Sequence, residues 1–231
     1  MPKNKLKNEN LIINVQNIIL ALLLFVVSQG MIYGQTHRWP FMANLGMIFL
    51  NIAVIALTGY LIFKQDKTQT RIQQYYYHDI HKTFENTYSI VAIILTTVLC
   101  LASEYAINYF FPSKTDATNV ALITKGIDKS QPFLLTATLL VLIYAIITPI
   151  IEELLYRQLL PMLLPHTVSF FVIGGLFVLL HAPNNTQQIV TLAIATGIFL
   201  IHRIRYNIIQ AIIVHQILNL FSIYELINYL R

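Results

Sequence analysis

The sequence predicts an all-α protein, a polytopic membrane helix bundle of about seven helices (six to eight). Two observations carry this. Hydrophobic residues make up 56% of the 231-residue chain and charged residues only 11%, against about 25% charged in a soluble domain. The apolar residues also fall into long runs separated by short polar stretches. Runs near 20 residues match the ~30 Å hydrocarbon layer at 1.5 Å per helical residue.

Taken in order, Lys3, Lys5 and Lys7 precede an apolar run from about Leu11 to Tyr33. That run is too long for a signal-peptide core and lacks a small-x-small cleavage site, so it is expected to be an uncleaved first span. Arg38 and Trp39 form an interfacial anchor before a second span, about Phe41 to Phe63. Residues 64–87 form a basic loop with Lys64, Lys67, Arg71, Lys82 and the run Tyr75-Tyr76-Tyr77. His78 and His81 there share a helical face, but two histidines without further nearby ligands read as a solvated face rather than a metal site. The third span is about Tyr88 to Phe111, with Glu104 near its end, and Pro112 stops it. A polar connector, Ser113 to Gln131, follows.

From Pro132 to Leu164 the chain is apolar for longer than one span needs, with a kink expected at Pro149 and an early end at Pro161. A fifth span covers about Val168 to His181, and a sixth runs from the turn at Ala182 to Gln187 to about Ile201. His202, Arg203 and Arg205 are expected in a basic turn, and the last span starts near Asn207. Residues 1–131 are thus expected to supply N-terminal spans and loops, and 132–231 a catalytic helical core, within one continuous membrane domain.

The net charge of +5 resides in loops and suits anionic lipid better than nucleic acid. A lone cysteine, Cys100, excludes an internal disulfide and a cysteine-based zinc site. Lys/Arg placement puts the N-terminus, the 64–82 loop and the Arg203/Arg205 turn on the cytoplasmic side.

Three polar clusters interrupt the C-terminal apolar half: Glu152, Glu153 and Arg157; Phe177 with His181; and His215 with Asn219. Charge at that depth is expensive unless paired or used. Glu153 and Arg157 have i,i+4 spacing and can pair, while Glu152 is rotated away by about 100°. Counting ~1.5 Å per residue from the connecting turns brings the three clusters to similar depth. A carboxylate and a neutral imidazole can jointly deprotonate water, and a second histidine with an amide can stabilise an oxyanion. The same Glu/His/His set could instead hold zinc.

Glu152-Glu153-x-x-x-Arg157, then Phe177-x-x-x-His181, then His215-x-x-x-Asn219 resembles the CAAX-protease and bacteriocin-processing (CPBP, or Abi) family, which includes the eukaryotic Ras-converting endopeptidase. The likeness spans Pro149 to Asn219, about a third of the chain. Gln158 stands where many relatives carry glycine. The resemblance implies a metal-independent intramembrane endopeptidase of the cell membrane. Glu152 and His181 would activate water, His215 and Asn219 would stabilise the oxyanion, Glu153 and Arg157 would support, and Phe177 would pack. The implied substrate is a small peptide precursor or a membrane-associated protein, with no cofactor. A non-catalytic bacteriocin-immunity or partner-binding protein, and a zinc protease, are the rival readings.

Overall fold

A computed structural model describes residues 15–30, 41–66, 87–111, 138–139, 141–163, 166–181, 183, 185–205 and 208–230. The lysine-rich start, the 34–40 anchor, nearly all of the 64–87 loop with His78 and His81, and the 113–131 connector lie outside the described residues. Seven helices account for the rest, and no strand occurs among the described residues. They are α1 (Val15–Gly30), α2 (Phe41–Asp66), α3 (Thr87–Phe110), α4 (141–163), α5 (His166–Leu180), α6 (Thr186–Arg205) and α7 (Ile208–Leu230).

Three helices are long and apolar enough to cross a membrane: Met42–Leu61, Tyr88–Phe110 and Ile208–Leu226. Val15–Gly30, Phe171–Leu180 and Thr186–His202 are apolar but shorter. The outer faces carry large side chains, among them Leu95, Phe171 and Leu179, at 63%, 76% and 71% exposure. Such a surface suits lipid rather than water, and the fold is a helical membrane bundle.

Helix α4 is the irregular element. It runs in wide i→i+5 turns over Val141–Ile147, tightens to α-helix over Thr148–Glu152, widens again over Glu153–Leu159 and ends as a tight 3-10 turn over Leu160–Leu163. Pro149 lies at the first change of register and Pro161 in the terminal turn. Proline supplies no N–H and crowds the preceding turn, so both prolines disturb the i→i+4 ladder.

The main core gathers around α4. Leu20, Leu24 and Val27 of α1 and Ile48 and Val54 of α2 pack with Ile143, Ile147, Ile151 and Leu159. Asn51 holds α1 to α2 by donating to the Val27 carbonyl at 3.3 Å and to its own helix at Met47. Helix α3 packs against α6 and α7, where Ile93, Phe199 and Val214 form a second cluster. Gly174 lets α5 approach α6 closely, since a Cβ there would sit 3.4 Å from the Thr196 methyl. Asn185 caps α6 by accepting the Gln188 amide at 2.9 Å.

One local expectation changes. The sequence placed His202, Arg203 and Arg205 in a turn, but α6 continues to Arg205. His202 is 2% exposed and its Nδ1 lies 2.8 Å from Thr96 Oγ1 on α3. A buried histidine with a partner across the interface extends the helix beyond the point where charge density suggested a stop.

Candidate active site

The three polar clusters converge where α4, α5 and α7 meet. Glu152 ends the α-helical turn after Pro149, and Glu153 begins the following wide turn. The ~100° rotation between consecutive helical residues aims the adjacent carboxylates at different neighbours. Glu153 is fully buried, and its Oε1 lies 3.3 Å from Arg157 and 2.9 Å from His215 Nδ1. Glu152 stays partly open, its side chain 17% exposed. Its Oε1 is 3.8 Å from His181 Nε2 and its Oε2 is 3.5 Å from His215 Nε2.

Both imidazoles have their tautomers set by what they touch. His181 terminates α5, and its Nδ1 lies 2.8 Å from the Phe177 carbonyl. A carbonyl only accepts, so Nδ1 carries the hydrogen and Nε2 turns its lone pair to Glu152. His215 Nδ1 likewise donates to the Glu153 carboxylate. The contacts from Glu152 to the two Nε2 atoms are too long for good direct hydrogen bonds. A water oxygen about 2.8 Å from both Glu152 Oε1 and His181 Nε2 forms a reasonable triangle on the 3.8 Å base.

Aromatic rings enclose the cation. Arg157 Cζ lies 4.3 Å from the Phe177 ring centre and 5.4 Å from that of Phe199. Phe177 also lies against His181 at 4.3 Å, and Phe199 against His215 at 5.1 Å. Each ring thus touches both the guanidinium and one imidazole, and restrains both. Phe177, expected only to pack, contacts two polar members of the site. Sequence reading missed Phe199 entirely, because a phenylalanine inside an apolar helix carries no local signal.

Asn219 lies one turn beyond His215 on α7 but reaches backbone rather than a carboxylate. Its Nδ2 donates to the Tyr144 carbonyl at 2.8 Å. Among the described residues, no group of three His, Cys, Asp or Glu side chains is arranged to hold a metal ion.

The structure is a helical membrane bundle with a carboxylate and two imidazoles gathered inside it. Residues 134–221 match the family model described as type II CAAX prenyl endopeptidase Rce1-like. Over that segment the chain is similar to the CAAX-type endopeptidases of the CAAX-protease (CPBP) family. No curated protein and no solved structure matches the chain.

Proposed function

We propose that the protein is an intramembrane endopeptidase of the cell membrane that hydrolyses a peptide bond with water activated by Glu152 and His181. The observation that carries this is the facing pair itself: a carboxylate oxygen and an imidazole lone pair, 3.8 Å apart and both partly accessible. Two acceptors at that separation invite a molecule with two donor hydrogens, and water is one. As the water oxygen attacks the scissile carbonyl carbon, one of its protons passes to this pair. The carbonyl oxygen becomes an oxyanion, which a doubly protonated His215 stabilises by donating from Nε2 while its Nδ1 donates to Glu153. The pair then returns the proton to the departing amine. No covalent enzyme intermediate is required.

Asn219 has two amide hydrogens, one of which is engaged by Tyr144. The other remains for the oxyanion. The substrate is a small peptide precursor or a membrane-associated protein, and bacteriocin processing or self-immunity is the setting proposed. Residues 132–231 form the catalytic core, and 1–131 supply N-terminal spans and loops of the same membrane domain.

Cleavage of a candidate precursor by purified protein tests this reading. Glu152→Ala, His181→Ala and the double variant should lose activity to a similar level, because the two groups act as a unit. Full cleavage in the double variant, with normal expression, refutes the mechanism. Protection of cells that survives the loss of both groups identifies a non-catalytic immunity protein instead. Activity retained in strong chelator separates the proposed mechanism from a zinc protease on the same residues.

A further inference from the structure

The wide turns before the catalytic glutamates leave a backbone group without its usual partner. In the i→i+5 register of Val141–Ile147, the Tyr144 carbonyl is directed at the amide of residue 149. Residue 149 is proline and has no hydrogen to give. The donor comes instead from α7, where Asn219 Nδ2 stands 2.8 Å from the Tyr144 oxygen. Gln216, on the same helix, reaches the Ile146 carbonyl at 3.4 Å, the outer limit of a hydrogen bond. In a membrane interior an unpaired carbonyl finds no water, so a side chain that supplies the missing hydrogen holds its helix in place.

We infer that Asn219, besides its proposed donation to the oxyanion, is a positioning residue: its amide substitutes for the backbone hydrogen that Pro149 lacks and clamps the glutamate-bearing part of α4 to α7. His215 and Asn219 share one face of α7, one turn apart. His215 meets the carboxylates just after the proline, and Asn219 meets the carbonyl just before it. The two contacts bracket Pro149 and fix the spacing between Glu152 and His215. The wide segment that leads into Glu152 and Glu153 is therefore sustained from the neighbouring helix.

A four-member cycle tests the clamp: wild type, Asn219→Ala, Pro149→Ala and the double variant. Thermal unfolding in detergent and precursor cleavage are measured for each. Asn219→Ala should lower Tm by about 2–4 °C, the shift one hydrogen bond commands in a chain of this size. In the Pro149→Ala background the residue 149 amide can serve Tyr144, and the Asn219→Ala shift should fall below half. In the otherwise native chain, Asn219→Ala should lower kcat by about 10- to 100-fold with KM little changed, as small misplacement of catalytic groups does. Equal Tm shifts in both backgrounds, or an unchanged kcat, overturns the inference. If Pro149→Ala cannot be purified, hydrogen exchange on Asn219→Ala decides. Faster exchange confined to 141–153 supports the clamp, and unchanged exchange there overturns it. The kinetic measurement rests on the protease reading, whereas the Tm coupling does not. Coupled Tm shifts in a chain with no peptidase activity would sink the protease reading and leave the clamp standing.

Discussion

Glu153 Oε1 lies 2.9 Å from His215 Nδ1 and 3.3 Å from Arg157, with the carboxylate fully buried. One oxygen therefore serves an intrahelical ion pair and an interhelical hydrogen bond together. Glu152, its neighbour in sequence, stays partly open and faces two imidazoles. Adjacent, chemically identical side chains acquire different environments because neighbouring residues on a helix point about 100° apart.

Glu153→Ala is expected to strand Arg157, whose side chain is 1% exposed. Loss of one partner of a buried pair costs about 3–5 kcal/mol, read as a large fall in Tm. Replacing both Glu153 and Arg157 by leucine should recover most of that stability, because apolar replacement of a buried pair is often nearly neutral. Activity should not return with it, since His215 loses the group that orients it. Recovery of both together would show that Glu153 has no part in the chemistry.

Phe199→Leu is expected to lower kcat more than its effect on stability alone accounts for. The ring touches both His215 and Arg157. Phe177 sits nearer the guanidinium, at 4.3 Å against 5.4 Å, so Phe177→Leu should cost more stability. A desolvated cation–π contact is worth up to about 2 kcal/mol. Unfolding curves and kcat for the two variants check the order, and equal Tm shifts would remove the distinction.

Thr96→Val is expected to destabilise the protein by about 1–3 kcal/mol, the effect of removing a hydrogen-bond partner from a buried group. The hydroxyl meets His202 Nδ1 at 2.8 Å across the α3–α6 interface. Thr96→Ser keeps the hydroxyl and should stay close to wild type in Tm. A loss in Thr96→Ser with Thr96→Val close to wild type would mean that the methyl, not the hydrogen bond, matters at that site.

The helical class was legible because charge is scarce and apolar runs are long. Glu152, Glu153, Arg157, His181, His215 and Asn219 stood out because lipid makes polar side chains conspicuous. Their convergence was also accessible, since residue counts from the connecting turns gave depth. The rest depended on features that leave no residue-type signal. Phe199 is one phenylalanine among many, and its role comes from packing against Arg157 and His215. His202 was read with Arg203 and Arg205 as part of a basic turn, because nothing in sequence reveals Thr96 across the interface. Pro149 did mark the irregularity in α4, but which donor meets the Tyr144 carbonyl depends on how α7 docks.

The central claim is that Glu152 and His181 activate water for peptide hydrolysis. Its most direct test is single-turnover cleavage of a peptide precursor by purified Glu152→Gln, with Tm measured on the same sample. The substitution keeps size and hydrogen bonding but removes the proton acceptor. The rate is predicted to fall by about 10²–10⁴-fold, the contribution of a positioned general base, with Tm close to that of wild type. Cleavage within a few-fold of wild type, from a folded protein, would contradict the account.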